Sequence, residues 1–207
     1  MPARSLPRPV RRPRATRMTP EARRAQLLAS AVRVFATRGL GAARHADVAA
    51  EAGVSLPAVF FYFETRERLV AAVLDDVARH YLGMIAEALA LDVPPRERLL
   101  AVARAFAESV ERHPDHARVW LDWSTAVRDE LWPRYLRFQT RVLQALTRTI
   151  RTGQRRREIR SDVAAGDAAL VMYGAAYVVM QLQLRGATPA RIARFVRNLM
   201  AAVTPAV

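Results

Sequence analysis

Residues 45–63, HADVAAEAGVSLPAVFFYF, hold the side chains of this chain whose types and spacing suit a recognition task. Ser55 can cap a helix, and its hydroxyl can also reach a phosphate. Leu56, Pro57, Ala58 and Phe61 face outward if Val54, Val59 and Tyr62 pack inward. Apolar groups so placed can touch thymine methyls in a major groove. Arg44 before this run and Arg66 after it are placed to grip phosphates, although each alone also reads as a solvated charge. For Phe60, Phe61 and Phe63 the competing reading is core packing, and it is the one expected for Phe63.

Such a set needs two short helices around a tight turn. Ala49 is small where the helices come closest, and Gly53 falls at the turn, where a positive φ is needed. Val48, Ala52, Val54 and Val59 supply a small apolar core. A helix-turn-helix of this kind places its second helix in the DNA major groove. Ser55 opens that second helix as its N-cap, and Pro57 lies in its first turn, where no backbone donor is lost.

The flanking elements are helical. Thr19 caps a first helix with Pro20 at its first position and Glu21 near its positive end. Leu27, Leu28, Ala31, Val34 and Phe35 form its apolar stripe, and Gly39 and Gly41 end it. Thr65 caps a long helix carrying Leu69, Val73, Leu74, Val77, Tyr81, Met84 and Ile85. The break Asp92-Val93-Pro94-Pro95 precedes a helix over Leu99–Val110 that closes near His113-Pro114. Residues 116–127 and 129–151 form two more, the latter with Pro133 near its start. Gly153 and a polar run separate these from a helix over Ala164–Arg185, and Thr188 caps a last one beginning at Pro189. No segment has strand periodicity, and no internal repeat or long linker appears. The expected fold is all-α with about nine helices.

Composition sets the partner class. The 207 residues carry a formal charge of +14, and all 33 basic residues are Arg. Thirteen Arg against five acidic residues give residues 1–70 a net +8. This excess favours a polyanion such as nucleic acid. Residues 1–17 hold six Arg, four Pro and no acid, which fits either an extended arm in the minor groove or a solubilising tail. With no Cys, disulfides, Cys-based zinc sites and thiol catalysis are excluded. No apolar run is read as reaching the ~18–20 residues of a membrane span, and the start lacks a signal core, so a cytoplasmic protein is expected. His113-Pro114-Asp115-His116 could suggest a metal, but a helix-terminal turn is the better reading, and no metal or cofactor is expected. Arg151, Arg155, Arg156, Arg157 and Arg160 are expected to decorate a helix end, with a second DNA-contact patch as the alternative.

The order of arm, capped first helix, helix-turn-helix, aromatic cluster and capped long helix resembles the TetR family of transcriptional regulators. Val54 to Leu69, VSLPAVFFYFETRERL, looks like that family's recognition helix and its exit. Val119-Trp120-Leu121-Asp122-Trp123-Ser124 and Arg128-Asp129-Glu130-Leu131-Trp132-Pro133 are similar to the HapR/SmcR/LuxR branch of quorum-sensing regulators. His45-Ala46-Asp47 and Thr16-Arg17-Met18-Thr19-Pro20 resemble it too. That branch has a polar Thr and an Asn where this chain has Ala58 and Phe61, so the resemblance carries the mode of DNA binding but not the operator.

The resemblance implies a flexible arm over 1–18, with Arg14 and Arg17 reaching DNA. It implies a helix-turn-helix domain over 19–66, in which Tyr62 donates its hydroxyl to a phosphate. Residues 67–207 then form a dimerisation and effector-binding bundle. Two half-sites one turn apart require a homodimer, for which the last two helices suit a four-helix interface, Gly174, Ala175 and Ala176 allowing close approach. The resemblance also implies a ligand cavity walled by Tyr81, Met84, Trp120, Gln139 and Ala176, for a small apolar effector. The alternative for the Trp residues is a packed core. Two other classes compete: an architectural protein that coats DNA without sequence choice and, more remotely, a helical enzyme using the cavity. No nucleophile or paired carboxylates support the enzyme.

Overall fold

A computed structural model of the chain describes residues 18–126 and 130–203. Arg14, Arg17 and the rest of the proposed arm up to residue 17 lie outside the described residues, as do Val127, Arg128 and Asp129. The described part contains nine helices and no strand: α1 (Pro20–Ala42), α2 (His45–Ala52), α3 (Leu56–Tyr62), α4 (Arg66–Leu89), α5 (Pro95–Arg112), α6 (Pro114–Thr125), α7 (Trp132–Arg155), α8 (Ala165–Leu184) and α9 (Pro189–Val203).

Three predicted caps form as hydrogen bonds. Thr19 Oγ1 accepts from Ala22 N at 3.2 Å, Thr65 Oγ1 from Arg68 N at 3.2 Å and Thr188 Oγ1 from Arg191 N at 3.3 Å. Each satisfies a backbone donor that the first helical turn leaves open. Ser55 holds the N-cap position of α3, but its side chain makes no cap hydrogen bond, so its hydroxyl is not committed to the helix.

The apolar stripes converge on one core. Leu27, Ala31 and Phe35 of α1 pack with Val48 of α2, Val59 of α3, and Leu69, Val73 and Val77 of α4. The core continues through Trp120 and Trp123 of α6 and Tyr135, Val142 and Ile150 of α7 into α8. α6 lies along α1, and α7 along α8.

Two expectations about the C-terminal half are corrected. Gly153 does not separate elements: it is buried inside α7, and a Cβ there would sit 2.6 Å from Ile159 Cδ1 and 3.3 Å from Pro95 Cβ. It is a close-packing position, not a breaker. And α8 is long and apolar enough to cross a membrane by length and composition. Gly, Tyr and Gln interrupt its aliphatic run and hide this in the sequence, yet Asp167 is its one charged residue. In the fold it packs against α5, α7 and α9, with Ala168, Met172, Tyr173, Val179 and Met180 buried.

Candidate nucleic-acid interface and effector cavity

The turn between α2 and α3 is built as its residues require. Gly53 adopts φ 65° and ψ 38°, the left-handed region that glycine enters without a Cβ penalty. Its N–H donates to Ala50 O at 3.3 Å, and Val54 N–H donates to Ala49 O at 3.0 Å. Val59 is fully buried and Phe63 nearly so, which seats α3 in the shared core beside α2. The opposite side of α3 is open. Phe61 is 79% exposed, Phe60 43% and Leu56 40%, and Pro57 is exposed as well. Ala58 and Tyr62 are half-buried. Phe60 lies flat against His45, ring centroids 4.2 Å apart and planes within 10°. His45 Nε2 in turn donates to Phe63 O at 2.6 Å. The core-packing reading therefore holds for Phe63 and fails for Phe61.

The two flanking arginines hold backbone. Arg66, expected at a phosphate, instead closes the end of α1: its guanidinium donates to the carbonyls of Leu40 and Gly41, the latter at 3.0 Å, and approaches Ala43 O at 3.4 Å. Cations suit that negative helix pole. Arg44 donates from Nη1 to Gly41 O at 2.8 Å and Ala43 O at 3.1 Å, while its own N–H donates to Asp47 Oδ2 at 2.9 Å. Arg44 remains exposed; Arg66 is half-buried.

Behind this head an apolar cavity lies in the bundle, lined among others by Tyr81, Met84, Phe106, Trp120, Phe138 and Ala176. Four of the five expected wall residues are there. Gln139 is not: one residue along α7 turns about 100° around the helix axis, and Phe138 takes the wall position. The volume is about 70 Å³, far below the ~300–1,000 Å³ of typical ligand pockets. Aromatic rings fill the space, with Trp120 centroids 5.7 Å from Phe106 and 4.7 Å from Tyr177. The packed-core reading of Trp120 and Trp123 is thus also met. The Tyr81 hydroxyl is buried without a hydrogen bond of ordinary geometry, and burial pushes its phenol up. Tyr135 is shared instead, its hydroxyl 2.7 Å from those of both Tyr173 and Tyr177.

Some positions escaped the sequence reading. Asp122 Oδ2 accepts from Leu40 N at 2.6 Å, just after Gly39, whose φ of 80° breaks the helical path of α1. The bond joins residues 82 apart in the chain, so no local signal announced it. His80 of α4 meets His113 and His116, with ring centroids 4.8 and 4.7 Å away. His80 Nε2 lies 2.7 Å from Ser109 Oγ, and His116 Nε2 lies 3.2 Å from Asp76 Oδ2. Among the described residues no group of three His, Cys, Asp or Glu is arranged to hold a metal.

Partial burial, then the His116 and His113 imidazoles, hold His80 down at about 4. An unfolded imidazole titrates near 6.5. Lowering the pH from about 6.5 towards 4 therefore protonates the unfolded chain first, and stability falls across that window. Thermal melts across it should show a shallower pH dependence for His80→Gln; an unchanged slope would remove His80 from this account.

On α8, Leu170 (54% exposed), Val171 (53%) and Val178 (43%) form an open apolar stripe around Gly174, which has no atom within 4 Å of its would-be Cβ. Ala175 and Ala176 face the cavity instead. In the expected basic cluster, Arg155 occupies the last turn of α7, and Arg160 pairs with Asp162.

A family model for bacterial regulatory proteins of the tetR family matches residues 27–73, from the α1 core stripe through Val73 of α4. The chain is 41% identical over 127 residues to the HTH-type transcriptional regulator LuxR of Vibrio harveyi, covering 61% of this chain and 62% of that one. It therefore spans only about three-fifths of LuxR's length. Among solved structures, the transcriptional regulator FadR of Bacillus subtilis, in complex with stearoyl-CoA, superposes with a TM-score of 0.75 at 16% identity, over 88% of this chain and 98% of FadR. AibR, in complex with isovaleryl coenzyme A and operator DNA, superposes with a TM-score of 0.72 at 16% identity, over 89% and 100% of the two chains. At that identity the two superpositions speak for the fold.

Proposed function

We propose that this chain is a member of the tetR family of bacterial regulatory proteins and a sequence-specific, DNA-binding transcriptional regulator acting as a homodimer in the cytoplasm. The observation that carries this reading is the exposed outer face of α3, held rigidly by Gly53, Val59 and Phe63 on a strongly basic N-terminal part. In this reading residues 1–18 are the arm, with Arg14 and Arg17 in the minor groove; residues 19–66 read DNA; residues 67–207 dimerise and bind effector. Leu56, Pro57, Ala58 and Phe61 meet bases. Ser55, with its uncommitted hydroxyl, meets a phosphate together with Tyr62 and Arg44. Arg66 supports the end of α1. The apolar stripe on α8 joins two protomers and sets the spacing of their reading heads.

The effector is small and apolar. FadR and AibR hold acyl-coenzyme A molecules, and this apolar cavity suits an acyl group once the rings give way. The similarity to LuxR makes a quorum-sensing role the first physiological context to test.

Footprinting on genomic DNA of the source bacterium should reveal paired half-sites about one helical turn apart. Equal affinity for random and genomic duplex would replace this reading with an architectural one. If six to ten phosphates are neutralised, affinity should drop ~10³–10⁵-fold between 50 and 200 mM salt. A flat salt titration would contradict the electrostatic footprint.

A further inference from the structure

The outer face of α3 lacks the side chains that ordinarily read bases. Residues 56–62, LPAVFFY, include one side-chain hydrogen-bonding group, the Tyr62 hydroxyl, and it belongs to a half-buried residue. Arg, Lys, Asn and Gln, which grip guanine and adenine edges in pairs of hydrogen bonds, are absent from the helix. What it offers is a strip of hydrocarbon: Leu56, Pro57, Phe60 and Phe61 lie within about 140° of arc at 100° per residue. Large apolar side chains this exposed are unusual on a monomer surface unless they meet a partner.

Two features separate Phe61 from the rest. Phe60 is held against the His45 ring, which leaves Phe61 as the most exposed large apolar side chain described. Phe61 also stands edge-on to Tyr62 at 5.1 Å, a contact that orients the ring. The composition favours a polyanionic occupant, since residues 1–70 of the sequence carry a net +8 and would disfavour a basic partner. The only apolar group that a duplex presents in its major groove is the thymine methyl.

Resting on the DNA-binding reading above, we infer that this protein selects its operator by C5-methyl groups of pyrimidines, with Phe61 as the specificity-determining residue and Leu56 beside it. Hydrogen-bond patterns at those base pairs are then ignored. A thymine and a 5-methylcytosine present the same methyl to the ring, although they differ at the neighbouring edge atom.

The test starts from duplexes enriched by the full-length protein from a random pool. Each dT of the enriched duplex is replaced in turn by dU, which removes only the methyl. Burying one such group contributes about 0.8 kcal/mol, so affinity should fall about fourfold at one or two positions in each half-site. Replacing the dT·dA pair at those positions by a 5-methyl-dC·dG pair should restore binding to within about twofold of the starting duplex, well short of that loss. In Phe61→Ala the dT and dU duplexes should bind alike. The exposed position leaves the fold intact, checked by circular dichroism. Affinity that ignores every dU replacement overturns the inference while leaving sequence-specific binding in place. So does dU sensitivity that persists in Phe61→Ala, or a 5-methyl-dC duplex that binds as poorly as dU. If no duplex is enriched at all, the sequence-specific reading itself falls, and this inference with it.

Discussion

Replacing Trp120 by alanine should destabilise the protein by about 3–5 kcal/mol. The indole is 2% exposed and is ringed by Tyr81, Phe106, Tyr173 and Tyr177, with centroids between 4.7 and 6.4 Å away. Removing it leaves those rings facing empty space, and a close-packed interior relaxes only in part. For a chain of this size each kcal/mol moves the melting midpoint about 2–4 °C, so a fall of roughly 6–20 °C is expected by calorimetry. Trp120→Phe should lose much less. The cavity of Trp120→Ala is also larger than the native 70 Å³, so it should take up benzene-sized apolar probes that the native protein excludes. A midpoint within a degree of the native value would mean that Trp120 is neither core nor wall.

Gly53→Val should abolish specific DNA binding while the helical bundle survives. No atom lies within 4 Å of a Cβ built at Gly53, so neighbours are not the obstacle. The obstacle is the backbone. With φ at 65°, a β-branched residue is held in a region that disfavours it by about 1–3 kcal/mol. The head can escape this strain by turning the residue to negative φ, which breaks the Gly53 and Val54 N–H bonds to Ala50 and Ala49 and swings α3 off its seat. Gly53→Asn, which tolerates the left-handed region, should retain most binding. Gel shifts on an enriched duplex, with gel filtration and circular dichroism as controls, decide the matter. Native affinity in G53V would place the turn elsewhere.

What the sequence disclosed follows from the range of the interactions concerned. Caps at Thr19, Thr65 and Thr188 involve partners three residues away, so residue type and order suffice to find them. The same holds for Gly53, whose role is a property of its own backbone. The backbone role of Arg66 is not legible in the sequence because its carbonyl partners lie 23 to 26 residues back, where only the packed head brings them within reach. Gln139 and Phe138 are neighbours, and which of them faces the cavity depends on how α7 rolls against α8. The His80 cluster and the true place of Gly153 also required tertiary packing to become visible. Cavity volume is the least legible quantity, since it is a small remainder after large side chains have filled the space.

The carboxylate of Asp122 has a mechanical consequence. It grips the N–H of Leu40, right beside the one left-handed break in α1, and stands two residues from the indole that walls the cavity. A rearrangement that displaced Trp120 would pull on this tether. That pull would reach Gly39, three residues before the end of α1, where the chain passes from the first helix into the α2–α3 pair.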